Sequence, residues 1–295
     1  MKILLTGKDG QVGWELQRSL ALLGEVIALG RSELNLEQPD NLRSVVRTQR
    51  PQIIVNAAAY TAVDRAETDA LRAQAVNGDA PGILAVEAKK IGALLIHYST
   101  DYVFDGGAAA AYVETDTPHP INIYGSTKLA GERAVQAAAG HSLILRTSWV
   151  YGMRGKNFLL TMRALMRERA SLNVVDDQHG APTWSRSIAE ATALMLGRLA
   201  DREQRERAFQ QGTHIYHLSC AGATTWFGFA AAIAAYLRDN EHDAPIAALN
   251  PIATEQYPTP ARRPRNSVLS NAKIQRDFAI VLGDWQPTLE RCCAT

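Results

Sequence analysis

Cysteine is scarce in this chain of 295 residues. Cys220, Cys292 and Cys293 are the whole complement, an odd count that makes no disulfide framework, and two of the three sit at the C-terminal end. The seven histidines form no ligand cluster and no Cys or His pair has metal-ligand spacing, so no metal ligand is assigned. An excess of either charge is also missing. Thirty-one basic and 30 acidic residues leave a net charge of +1, which gives no electrostatic case for nucleic acid or a membrane as partner. No apolar run approaches a membrane span. The run at Met1–Leu5 is too short for a signal peptide and has no small-residue cleavage site, so a cytoplasmic location is expected. Low complexity is confined to Gly106–Ala111, and no repeat of solenoid period occurs. What is present is a 46% hydrophobic, 21% charged composition, as in soluble globular proteins, with length for one large domain or two modest ones.

The order of patterns carries more. Lys2–Thr6 reads as a buried strand, with Gly7, Gly10 and Gly13 directly after it. Val12, Leu16, Leu20 and Leu23 then share one helical face, and Glu25–Leu29 reads as a second strand. A strand, glycine turn, helix and strand within about 30 residues is the form of a dinucleotide-binding unit. Its glycines allow close backbone approach to a pyrophosphate, and the helix N-terminus offers free N–H groups to that anion. The spacing is G-x-x-G-x-x-G, and a turn selected only for helix–sheet packing would look the same. After the second strand comes Gly30-Arg31-Ser32, where an acid would favour NAD. Arg31 can instead pair with a 2′-phosphate, which predicts a preference for NADPH with NADH still usable; a solvated surface arginine is the plainer account. Further strands at Gln52–Asn56, Ala93–Ser99 and Ser142–Arg146 alternate with helical segments, including one from Asp69 to Lys90 interrupted near Asn77–Gly78 and Pro81. The fold class is therefore α/β, a Rossmann-like doubly wound parallel sheet, with ligands at the carboxyl ends of its strands.

Tyr124-Gly-Ser-Thr-Lys128 opens a helix extending to about Ala139, so the phenol and the ammonium share a face. An adjacent ammonium favours phenolate and should lower the phenol pKa toward a range useful for proton transfer. Ser99-Thr100-Asp101 ends a strand, where a hydroxyl can bond a substrate carbonyl.

These residues resemble the extended short-chain dehydrogenases/reductases, and within them the dTDP-4-dehydrorhamnose reductase family. The matching segments are Gly7–Gly13, Val55–Ala59, Ser99–Phe104, Tyr124–Glu132 and Arg146–Tyr151, with Asp177–Thr183 and Tyr257–Pro264 more particular to that family. The resemblance implies reduction of the C4 ketone of dTDP-4-dehydro-L-rhamnose, the last step of dTDP-L-rhamnose synthesis for cell-surface polysaccharide. It assigns a catalytic set of Thr100, Tyr124 and Lys128. It implies cofactor contacts at Gly10, Gln11, Val12, Asn35, Leu36, Ala59, Tyr60, Thr61 and Tyr98, and substrate contacts at Asp101 and Trp149. Glu15 matches one of several glutamates that some members use in a metal-assisted homodimer contact. No counterparts to the others can be placed, so magnesium stays doubtful.

From about Tyr151 the pattern loosens, giving an expected division into an NAD(P)-binding domain at 1–150, to which later segments return, and a mainly substrate-binding domain at 151–295. Helices are expected at Asn157–Arg169, Ser187–Leu199 and Trp226–Arg238, and strands at Leu172–Val175 and His214–Ser219. The charged run Asp201–Arg207 reads as a solvated helix end or loop. Pro258–Pro264 is a rigid loop whose Arg262 or Arg263 suits the diphosphate of a dTDP-sugar, or is simply a basic surface loop. Two other readings share the motifs. Thr100-Asp101 places an acid beside the threonine, as in dehydratases of the superfamily, so an epimerase or dehydratase is not excluded by the triad; Asp177–Thr183 and Tyr257–Pro264 favour the reductase. A non-catalytic regulatory subunit resembling that of methionine adenosyltransferase is opposed by the intact Thr100, Tyr124 and Lys128.

Overall fold

The computed structural model describes residues 1–199, 209, 212–240 and 246–295; the run Asp201–Arg207 lies outside the described residues. Six parallel strands form the central sheet. They are β1 (Lys2–Thr6), β2 (Glu25–Leu29), β3 (Ile53–Asn56), β4 (Leu94–Thr100), β5 (Ser142–Thr147) and a last strand at His214–His217. Their spatial order is β2, β1, β3, β4, β5 and then 214–217. Side chains alternate across the pleat. Ile3, Leu5, Ile53, Val55, Ile96 and Leu145 face one core, while Leu4, Ile54, Leu95 and Ile144 face another. Both faces are covered, which is why these strands read as continuous apolar runs rather than alternating ones.

Helix α1 (Gln11–Ser19), the 3-10 turn Leu20–Leu22 after it and the helix Ser185–Arg198 cover the first face, through Leu16, Leu20, Ile188 and Met195. The second face is covered by α2 (Pro39–Gln49), by Ala80–Ile91 and by the Tyr124 helix, Ile123–Ala138, through Leu42, Val46, Leu84 and Val135. A separate core lies beyond the sheet. Tyr151 of the short strand Val150–Tyr151 packs there with Leu159, Met162, Phe229, Ile233, Trp285 and Leu289, drawn from helices Phe158–Glu168, Trp226–Asn240 and Trp285–Cys293. No helix among the described residues is long and apolar enough to cross a membrane.

The interruption expected near Asn77 is a π turn at Ala75–Asp79, between helices Ala70–Gln74 and Ala80–Ile91. Such a bulge turns a side chain out of helical register. Here it delivers Asn77, whose Oδ1 accepts from Tyr60 N at 2.8 Å and whose Nδ2 donates to Tyr60 O at 3.0 Å. The loop after β3 is thereby held by a side chain that the sequence offers only as a helix breaker.

Behind the Tyr124 helix, Arg146 on β5 donates to both carboxylate oxygens of Glu132 at 2.9 and 2.7 Å. Each residue is 1% exposed. Removing one partner of such a pair strands the other charge in the core. Arg146→Met should lower stability by about 3–5 kcal/mol, and Glu132→Leu combined with Arg146→Met should recover most of that loss. Urea unfolding of the single and double variants checks this, and additive losses would contradict it.

Candidate active site

The carboxyl edge of the sheet gathers the polar residues. Gly7 follows β1 with φ of +75°, and a Cβ there would come within 2.7 Å of Ala58 N, so the turn lies against the loop after β3. Gly10 precedes α1 with no side-chain cap. The first N–H groups of α1 have no helical carbonyl to meet, and Gly10, Gln11 and Val12 line a cavity of about 510 Å³. Gly13 does not line it. A Cβ there would be 2.0 Å from Gly7 O, so this glycine serves the close packing of α1 against the turn. The bare turn and the uncapped helix start fit the pyrophosphate of a dinucleotide.

The same cavity is lined by Arg31, Asn35 and Leu36 after β2, by Ala59, Tyr60 and Thr61 after β3, and by Tyr98, Tyr124 and Lys128. Tyr98 belongs to it near the backbone, since its hydroxyl lies 2.7 Å from Thr192 Oγ1 in the core. Gln11 is tied down by Asn157, whose Nδ2 donates to Gln11 Oε1 at 2.8 Å while its Oδ1 caps the helix Phe158–Glu168 at Leu160 N.

Tyr124 sits in the first turn of its helix. Asn122 caps that turn, accepting from Gly125 N at 2.7 Å, and donates to Arg262 O at 2.8 Å. Glu67 accepts from Ile123 N at 2.9 Å. Lys128, one turn on, is 2% exposed and donates to Tyr98 O at 2.6 Å. The structure differs from the expectation of a depressed phenol pKa. Burial pushes the Tyr124 phenol up to about 12; the Thr100 hydroxyl opposes this as a hydrogen-bond partner, and the Asp101 charge adds to it. Burial lowers the Lys128 ammonium to about 8 against the pull of Glu132. The sequence argument counted the charge and could not count the lost water, and in this fold the lost water dominates. The outcome is a phenol that keeps its proton throughout the neutral range.

Thr100 and Asp101 lie beside this pair, 5% and 2% exposed. Thr100 Oγ1 donates to Asp101 Oδ1 at 2.8 Å, and Tyr102 packs edge-on against Tyr124 with ring centroids 5.7 Å apart. Thr147 is the register partner of Thr100, so Trp149, two residues on, occupies the same edge. Its φ of +45° is unusual for a bulky side chain, and its indole stacks on Trp226 at 3.5 Å and 5°. Trp226 Nε1 donates to Gln178 Oε1 at 3.2 Å. The next residue joins two segments far apart in the chain: His179 N donates to Arg265 O at 2.7 Å and His179 O accepts from Ser267 N at 2.8 Å.

The two arginines of the proline loop separate. Arg262 is exposed. Arg263 donates to both oxygens of Asp64 at 3.0 and 2.8 Å and to Thr259 Oγ1 at 2.5 Å, so its guanidinium anchors the loop to the segment after β3. Glu15 accepts from Arg186 at 3.2 Å. Among the described residues no three His, Cys, Asp or Glu side chains are grouped as a metal ion would need.

Asn77, Asn122, Asn157, Glu67 and Asp64 were not anticipated as contributors. An Asn directly before a helix is a legible cap signal, but the second bond that each asparagine makes, to a distant segment, leaves no local trace.

Burial raises the Asp101 carboxyl to about 6, with the hydroxyls of Thr100 and Ser267 pulling the other way. A carboxyl raised on folding stabilises the protein below the unfolded carboxylate range, and that contribution is lost as pH rises through about 6. Asp101→Asn should therefore gain melting temperature relative to the parent as pH rises from about 4 to about 7. Thermal melts across that range test this, and parallel curves would contradict it.

Comparison with known proteins agrees with this geometry. The family model for the RmlD substrate binding domain matches residues 1–295. A dTDP-4-dehydrorhamnose reductase of Burkholderia thailandensis is 52% identical over 294 residues, covering 99% of this chain and 98% of the relative. The enzyme of that name from Escherichia coli K12 is 45% identical over 295 residues, covering 99% and 96%. A crystal structure of the Bacillus anthracis dTDP-4-dehydrorhamnose reductase in complex with NADP superposes with a TM-score of 0.88 at 33% identity, covering 99% of this chain and 98% of that one. The chain belongs to the dTDP-4-dehydrorhamnose reductase family of oxidoreductases.

Proposed function

We propose that the chain reduces the C4 ketone of dTDP-4-dehydro-L-rhamnose to give dTDP-L-rhamnose, with NADPH as reductant. The observation that carries this reading is the meeting of Tyr124, Lys128 and Thr100 at the sheet edge, beside a cavity lined by the glycine turn. When bound, the nicotinamide supplies hydride to the carbonyl carbon. Tyr124 gives its proton to the alkoxide that develops; a phenol held near 12 is fully protonated at neutral pH and transfers to the more basic alkoxide. Lys128, fixed by the Tyr98 carbonyl, holds positive charge next to the phenolate left behind. Thr100 directs its hydroxyl to the carbonyl oxygen, exchanging the bond that it makes to Asp101. Asp101 and Trp149 flank the sugar and nucleotide. Arg262 offers the diphosphate a guanidinium, while Arg263 holds the loop through Asp64.

Loss of the phenol proton removes acid catalysis without disturbing the cofactor cavity. Tyr124→Phe should cut kcat by about 10²–10⁴ while leaving NADPH affinity near that of the parent. Stopped-flow oxidation of NADPH with the 4-keto sugar, together with fluorescence titration of the cofactor, checks both halves. Turnover in the variant at the parent rate would remove Tyr124 from the mechanism. Consumption of NADPH in step with product separates a reductase from an epimerase or dehydratase, which would recycle a bound cofactor.

A further inference from the structure

Between β2 and α2 the chain makes a turn that brings a second acid–base cluster to the far end of the cofactor cavity. Glu37 lies at its centre. Arg31 Nη2 stands 2.5 Å from Glu37 Oε1, and Arg72 Nε stands 3.0 Å from the same oxygen. Glu37 N donates to Asn35 Oδ1 at 3.0 Å, which fixes the backbone of the turn. Arg31, Glu37 and Arg72 all line the cavity that holds the glycine turn. Their side chains keep 65%, 29% and 31% of their surface exposed, so the cluster is open to a ligand rather than sealed in the core.

A dinucleotide seated on the glycine turn places its adenosine ribose beyond the end of β2, where an acid discriminates for a 2′-hydroxyl and an arginine for a 2′-phosphate. This chain has Gly30 at the usual acidic position, and both chemistries are supplied nearby, by Arg31 and Glu37 soon after it and by Arg72 from the segment after β3. Two guanidiniums and one carboxylate carry a net charge of about +1. A 2′-phosphate of about −2 meeting that cluster would be repelled by Glu37 unless the carboxylate gives up the arginines. A ribose hydroxyl has no such conflict and can donate to the carboxylate where it lies.

We propose that Glu37 is the residue that lets this site accept both nicotinamide dinucleotides. Its carboxylate is the resident counter-ion of Arg31 and Arg72, it releases them to the 2′-phosphate of NADPH, and it accepts the ribose 2′-hydroxyl of NADH. The inference rests on the reading that the glycine-turn cavity takes a nicotinamide dinucleotide, and it moves the choice of cofactor from Arg31 alone to a three-residue exchange.

Direct binding tests it without the sugar. Fluorescence titration of NADPH and of NADH against the parent, Glu37→Gln, Arg72→Gln and Asp9→Asn gives four affinity ratios. Asp9 is included because its carboxylate lies over Gly30, where a Cβ would be 2.3 Å from Oδ2, and it is the rival acid for the hydroxyl. In Glu37→Gln, NADPH should bind about threefold tighter and NADH about threefold weaker, a shift of about tenfold in the ratio. In Arg72→Gln, NADPH should weaken by about threefold to tenfold with NADH little changed. An unchanged ratio in Glu37→Gln, or a loss of NADH affinity that follows Asp9→Asn instead, overturns the role of Glu37 while leaving the cavity's assignment intact. A parent that binds neither dinucleotide overturns the assignment itself.

Discussion

A buried ammonium sets the terms for the centre of this molecule. Lys128 is nearly removed from water, and isolated charge in such surroundings costs several kcal/mol unless partners replace the solvent. The Tyr98 carbonyl supplies one bond. Glu132, one turn further along the same helix, supplies opposite charge, and Arg146 holds both Glu132 carboxylate oxygens by hydrogen bonds in the core. The arrangement ties the Tyr124 helix to β4 and β5 through charge as well as packing. The geometry of the Tyr124 phenol therefore depends in part on Glu132 and Arg146, which do not line the cavity.

The rest of the site is held by bonds between segments far apart in sequence. Asn122 couples the start of the Tyr124 helix to the proline loop, and Arg263 couples that loop to Asp64 after β3. Asn77 fastens the loop at Tyr60, and Asn157 steadies Gln11 beneath the glycine turn. Each is a single polar side chain that bonds a segment remote in sequence, so the cavity walls are cross-braced rather than merely adjacent. Beyond the Thr100 edge the stacked Trp149 and Trp226 form a flat apolar surface, with Trp149 in a backbone region that bulky residues avoid. A conformation of that kind persists only where its surroundings enforce it, and here the stacked indole provides the enforcement.

Electrostatics divides the two ends of the cofactor cavity. At the end that holds Tyr124 and Lys128, burial dominates and moves the phenol, the ammonium and the Asp101 carboxyl toward their neutral forms. At the end lined by Arg31, Glu37 and Arg72, the charges are partly exposed and paired with one another.

The sequence by itself determined the α/β class, the order of the first five strands, the glycine turn and the pairing of Tyr124 with Lys128. Those features are local: apolar runs, glycine spacing and helical period are legible within a few residues. It also marked Asp177–Thr183 and Tyr257–Pro264 as belonging together in one family, although nothing local says that they touch. Only the tertiary structure decided that His179 meets Arg265 and Ser267, that Arg263 is bound to Asp64 while Arg262 is exposed, and that Glu37 joins Arg31 to Arg72. It also reversed the expected direction of the Tyr124 shift. Charge spacing can be read along a helix, but desolvation depends on what the rest of the chain packs over it. That is a sum over contacts distant in sequence, which no window of residues contains.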